Sequence, residues 1–246
     1  MKILLTLFVL LLVACWNTNA NEKSSPAVVV SQIFTEESFI EFKKNVKIAF
    51  GIDVKHTISL MDGIYDFDNI PIRYIGGNKK CGDSKRGSHP FIFILGKNTT
   101  IKNMNITKSS PDGIDISRHS KTKFENLNIN HSCDEGITLR RGSEVIISDS
   151  KIVNHDNKGI MFWNDNRATI KNTEFIIEQT FSLNDFGLLI NLENVIIRRH
   201  PLADYGRLIT GDNCGDIEIN IKKTKFYGIQ KLNGTKNCSN IKINRN

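Results

Sequence analysis

Three things are missing from this 246-residue chain. Its five cysteines include no C-x2-C pair, which argues against a cysteine-based metal centre. No long apolar run follows the N-terminus, so a multi-span membrane protein is excluded. No basic stretch is interleaved with aromatic residues and no nucleic-acid-binding motif is present, so nucleic acid is not the expected partner. What remains is a 39% hydrophobic fraction, too high for a disordered chain. The length fits one large domain, expected as a monomer. A formal charge of +7 and a pI of about 9.1 favour a polyanionic partner, with anionic lipid and acidic polysaccharide as the remaining classes.

Met1-Lys2 precedes an apolar run from Ile3 to Ala14. The run is short for a bilayer span but suits the hydrophobic region of a secretory signal. Cleavage after Ala20 predicts a signal peptide at 1–20 and a secreted domain at 21–246. Alternatively, Leu12-Val13-Ala14-Cys15 has the pattern of a bacterial protein lipid-anchored through Cys15. After cleavage, Cys81, Cys133, Cys214 and Cys238 remain. In an exported chain they suggest up to two disulfides, with the pairing open.

From residue 98 onward one pattern returns: an apolar residue, a spacer, Asn or Asp, then further apolar positions. Its copies begin at Ile101, Phe124, Ile147, Ile170 and Leu192, with a weaker one at Ile221. The steps are 23, 23, 23, 22 and 29 residues. A fixed period in this range predicts a solenoid in which no repeat buries its apolar face alone. Apolar spacings of two or three and many β-branched residues predict short strands rather than helices. Stacked in parallel, such turns make an all-β, single-stranded parallel β-helix of about 22–23 residues per coil, each coil about 4.8 Å above the last. Asn103, Asn126, Asp149, Asn172 and Asn194 then fall in one column, where side-chain amides can bond along the axis.

The N-terminal region differs. Thr35 is a plausible N-cap for a short helix, with Glu36 and Glu37 at its positive end and Phe39, Ile40, Phe42 and Val46 on a helical period. A capping helix would cover the exposed end of the solenoid. Val54 to Phe67 reads as the first strands, and Gly76 to Pro90 as a polar loop holding Cys81.

The period also sorts the charges. Eleven residues after the first three repeat starts come Asp112, Glu135 and Lys158, with Asp134 beside Glu135. On a β-helix these share one column within about 14 Å. Clustered carboxylates need compensation, which a hard cation such as Ca2+ supplies. A solvated face of mixed charge is the other reading of the same residues.

Several motifs resemble, in order, those of the polysaccharide lyase family 3 pectate lyases, from about residue 60 to the end. His89 to Ile106 resembles their opening turn, and Pro111-Asp-Gly-Ile-Asp115 their Asp-Gly-Ile-His turn. Ser132-Cys-Asp-Glu-Gly-Ile-Thr138 is similar to their Cys-Glu-Asp-Ala-x-Thr, and Asp156-Asn-Lys158 to their Asp-Lys-Val. Asp204-Tyr-Gly-Arg-Leu-Ile-Thr-Gly-Asp-Asn-Cys214 resembles their Asp-Phe-Gly-Lys-Leu-Tyr-Arg-Ser-Cys-Gly-Asn-Cys. The resemblance implies a right-handed β-helix and Ca2+-dependent β-elimination of polygalacturonate, the backbone of pectin. It implies Ca2+ ligation at Asp112, Asp134 and Glu135, a substrate- or metal-contacting amine at Lys158, and a base at Lys158 or Arg207.

The chain departs from the family pattern near that base. Where the family carries Lys and then Arg, this chain has Arg207 and Thr210. An additional coil, Leu192 to Pro201, sets Arg207 about one strand spacing further from Lys158. Asp185-Phe-Gly-Leu-Leu-Ile-Asn191 looks like a second copy of the motif, with Leu188 and Asn191 at the cation positions. Two rival functions follow: a β-helix that binds acidic polysaccharide without cleaving it, and a polygalacturonase-like hydrolase using Asp112, Asp115, Asp134 and Glu135.

Overall fold

The computed structural model describes residues 27–29, 31–45, 51–76, 92–109, 112–130, 135–185, 187–230 and 240–245. The expected signal peptide and lipid anchor, the Gly76–Pro90 loop beyond residue 76, Cys81, Cys133 and Cys238, and the side chain of Cys214 lie outside the described residues. The expectation of disulfides therefore does too. No helix among the described residues is long and apolar enough to cross a membrane.

Each full coil passes through three faces, and the strand pairings described are parallel. The first face holds Gln32–Phe34, Ile58–Leu60, Ile92–Ile94, Asp112–Ile116, Glu135–Leu139 and Arg207–Cys214. The second runs from Ala27–Val29 through Asn105–Lys108 to Lys225–Tyr227. Two long strands, Lys151–Trp163 and Glu174–Asp185, bend from the second face into the first without a break. The third face runs from Gly63–Asp66 through Lys121–Glu125 to Ile241–Arg245.

The repeat read from the sequence is the register of the third face. Ile101, Phe124, Ile147, Ile170, Leu192 and Ile221 pair in succession and are all buried. Each lies directly above its equivalent, so the core is a set of apolar columns. Burying one such side chain contributes roughly 1.5–3 kcal/mol.

The expected Asn column sits at the corner after this face. Asn103, Asn126, Asp149, Asn172 and Asn194 all have positive φ, between 47° and 58°. Asn and Asp tolerate this conformation better than other non-glycine residues, which lets the chain turn sharply. Each backbone N–H donates to a carbonyl on the next coil, for example Asn103 to Glu125 and Asn126 to Ser148. The side-chain amides donate the other way: Asn126 to Asn103 at 2.8 Å, Asn172 to Asp149 at 3.0 Å and Asn194 to Asn172 at 2.9 Å. Asp149 has no N–H to donate to Asn126, so the ladder is interrupted there. At the sixth corner Lys223 takes the same conformation (φ 51°), which is less favourable for its side chain.

The helix spans Glu36–Asn45. Thr35 caps it: the Ser38 N–H donates to Thr35 Oγ1 (3.2 Å) and the Thr35 N–H to Ser38 Oγ (2.9 Å). Phe39 is buried among Phe34, Tyr65 and Phe67, with ring centroids 4.7–5.4 Å away. Ile40 is exposed, on the side turned from the coil, and Val46 lies outside the described residues. One expectation is corrected. The strands do not begin at Val54; Ala27–Val29 and Gln32–Phe34 precede the helix and pair with Ile52–Val54 and Ile58–Leu60. Three-residue strands carry too little alternation to be read locally and are held by partners distant in sequence.

Asp149→Asn completes the amide ladder and should raise stability by about 0.5–1 kcal/mol, read as a higher urea midpoint; a lower midpoint contradicts this account of the corner. A second test concerns the capped end. Burial, with Glu36 nearby, pushes the Tyr65 phenol up to about 12. The folded state then holds a proton that the unfolded state releases near pH 10. Stability should be insensitive to this group below pH 10 and fall by roughly 2 kcal/mol as pH rises toward 12. Tyr65→Phe should remove that dependence in an alkaline unfolding series.

Candidate functional site

Strand register on the first face brings the charged residues into one file. Asp112 pairs with Glu135, Glu135 with Lys158, Lys158 with Gln179, and Gln179 with Arg207. Asp112, Glu135 and Lys158 therefore occupy adjacent coils, as the period predicts. Arg207 is two coils beyond Lys158, about 9.6 Å at one strand spacing each. Asp134 and the side chain of Asp112 lie outside the described residues.

Glycine follows the first three members of the file. Gly113, Gly136 and Gly159 stack in turn, and a methyl group on Gly136 would stand 2.6 Å from the Gly159 carbonyl oxygen. The repeated acid-Gly, acid-Gly, Lys-Gly dipeptides are the sequence signal for this close approach. It was not used in reading the charges.

Lys158 and Glu135 form an ion pair, Nζ to Oε1 3.0 Å, with side chains 22% and 12% exposed. The Lys158 ammonium also lies 3.9 Å from Met161 Sδ, on the outer surface of the face. Three residues beyond Asp112 on the Asp112–Ile116 strand, Asp115 is gripped by Arg140, with Nη2 to Oδ2 2.5 Å. Two of the acids that a hydrolase would need are thus committed to cations. Protonating a leaving group or activating water requires a carboxyl group available to do so.

The next two coils carry a polar cluster. Thr210 Oγ1 donates to Gln179 Oε1 at 2.7 Å, and Gln179 Nε2 donates to Tyr205 Oη at 3.2 Å. Tyr205 is hydrogen-bonded to Glu178, which together with burial holds its phenol above the ordinary range. The Arg207 guanidinium lies over the Tyr205 ring, 4.1 Å from its centroid. Sequence reasoning named Arg207 and Thr210 but missed Gln179, Tyr205 and Glu178.

Register also corrects the second motif copy. Asp185 pairs with Cys214, not with Asp204. Leu188 and Asn191 lie on the third face, paired with Ile217 and Asn220. The residue of that coil facing the file is Gln179. One coil does lie between those of Lys158 and Arg207, but its place in the file is held by Gln179, which precedes the expected Leu192–Pro201 segment.

Acidic residues recur on successive coils at Asp112 and Glu135, the donor type a hard cation takes, and the Glu135 carboxylate is occupied here by the Lys158 ammonium at 3.0 Å. Among the described residues no three His, Cys, Asp or Glu side chains form a metal-holding group. A groove of 560 Å³ runs elsewhere, along the Asn corner. In its lining Lys151 and Glu174 are already paired at 3.3 Å.

Thr210→Val deprives the part-buried Gln179 carbonyl of its donor and should cost about 1 kcal/mol in urea unfolding, while Thr210→Ser keeps most of the stability. Equal losses in both variants would show that the hydroxyl is not the stabilising group.

The sequence matches the family model described as a right handed beta helix region over residues 91–246, more than half of the chain. No curated protein matches it.

Proposed function

Because this chain belongs to the right-handed β-helix family, whose members include polysaccharide-degrading enzymes, we propose that it acts on an acidic polysaccharide laid against the Asp112–Glu135–Lys158–Gln179–Arg207 file. The reaction we assign is the β-elimination of polygalacturonate that the motif resemblance implies, in an exported protein. The observation that carries this reading is the file itself: acidic residues at Asp112 and Glu135, then the cations Lys158 and Arg207, share one strand register on the first face.

In β-elimination a base removes the proton alpha to the uronate carboxylate. The electron pair forms the new carbon–carbon double bond, and the glycosidic C–O bond breaks. The departing oxygen takes a proton and becomes the hydroxyl of the other fragment. Lys158, with one N–H directed to Glu135, has further N–H groups to hold the uronate carboxylate. Arg207 is the base that the resemblance implies, and from two coils along the same face it would have to reach toward the sugar held at Lys158. An ordinary guanidinium is protonated, so it serves as a base only where neighbouring cations and desolvation favour its neutral form. Asp112, Asp134 and Glu135 would hold Ca2+, whose charge stabilises the enolate-like carboxylate.

Binding without cleavage is the second reading, and a specific observation favours it. Where the resemblance places a second cation, Thr210 stands, and its hydroxyl is engaged with Gln179. Among the described residues Arg207 is then the sole cation at that end of the file.

The assay follows ultraviolet absorbance of the unsaturated product during incubation with polygalacturonate. An increase that EDTA abolishes supports the lyase. Polymer binding with no product supports the second reading, and reducing ends without the absorbance contradict both. For the lyase, Lys158→Ala should lower turnover at least about a hundredfold with the fold retained by circular dichroism, and Glu135→Ala should weaken Ca2+ binding. Unchanged activity in Lys158→Ala removes it from the mechanism.

A further inference from the structure

We propose that the file selects a glycan carrying its carboxylates on alternate sugars. This rests on the reading that the file binds an acidic polysaccharide, and it concerns which one.

Lys158, Gln179 and Arg207 stand on three successive coils, so the two cations are two strand spacings apart. An extended hexopyranose chain advances by about one strand spacing per sugar, roughly 5 Å. A chain lying along the solenoid axis therefore presents one sugar to each coil. Sugars facing Lys158 and Arg207 meet a cation. The sugar between them meets Gln179.

Gln179 has little to offer an anion. Its carbonyl accepts from Thr210, and its amide nitrogen is directed to Tyr205 and, at 3.5 Å, to Glu178 Oε1. The nearest charge at that coil is the Glu178 carboxylate, so a carboxylate on the middle sugar would face an anion. A neutral middle sugar would not. The two cations supply the attraction, and Glu178 beside a spent amide supplies the discrimination. A polymer charged on every sugar satisfies the first condition and fails the second.

Two glycan types share the required chemistry. One is a polyuronate with part of its carboxylates masked as methyl esters. The other is a strictly alternating polymer of uronate and neutral amino sugar.

The test measures calorimetric affinity of the full chain, per carboxylate, for polygalacturonate, randomly half-methyl-esterified polygalacturonate and unsulfated chondroitin. We expect at least one of the last two to bind about tenfold more tightly than polygalacturonate. Which one does identifies the source. Gln179→Lys should shift the ratio about tenfold toward polygalacturonate, and Glu178→Gln, a milder change, should narrow the gap. Circular dichroism checks both folds, and if the lysine variant unfolds the Glu178→Gln result decides. Equal or tighter binding of polygalacturonate by the unaltered protein, or a ratio unmoved by the folded variants, overturns the inference while the proposed function stands. Failure of all three polymers to bind overturns both.

Discussion

In-register stacking of parallel strands is the constraint on which the rest depends. Every coil must place an apolar residue above the previous one, and a residue tolerant of positive φ at the same corner. The Asn corner meets the second demand, with Lys223 the exception: its backbone bonds upward and its amides bond downward. Once that column is fixed, outward-facing residues have no freedom of position. A carboxylate on one coil and an amine on the next become neighbours because the core beneath them is aligned.

The same rule governs the electrostatics of the outer surface. On the third face Lys171, Glu193 and Lys222 stand in one column. Hydrogen bonds from the two lysines pull the Glu193 carboxyl down to about 2. Such pairs are solvent-exposed and add little individually, but they relieve the repulsion that stacking like charges would create. On the first face the compensation is less complete. Glu135 is answered by Lys158, whereas Arg207 rests on an aromatic ring and has no ion-pair partner among the described residues. That difference makes the first face a credible docking surface for an anion.

Much of the fold was legible because the period is strict where the coils are regular. Ile101, Phe124, Ile147 and Ile170 could be aligned by counting, and so could Asp112, Glu135 and Lys158. Counting fails where the coil length changes. Twenty-three residues beyond Lys158 lies Phe181, a core residue; the register shift between Asn154 and Lys158 puts Gln179 in the file instead. The Asp185-Phe-Gly likeness misled for a related reason. It matched a local string, whereas position on the solenoid is set by pairing with the neighbouring coil. The first strands were missed because three residues carry no readable period, and the helix inserted after them interrupts the repeat.

The central claim is that an acidic glycan lies along the solenoid axis over this file. A crystal structure of the protein with a bound oligouronide tests it most directly. The account predicts a sugar chain parallel to the axis, one sugar per coil, with a carboxylate within hydrogen-bond distance of Lys158 Nζ. An oligosaccharide seated in the Asn-corner groove, or running along the strands away from Lys158 and Arg207, would contradict it.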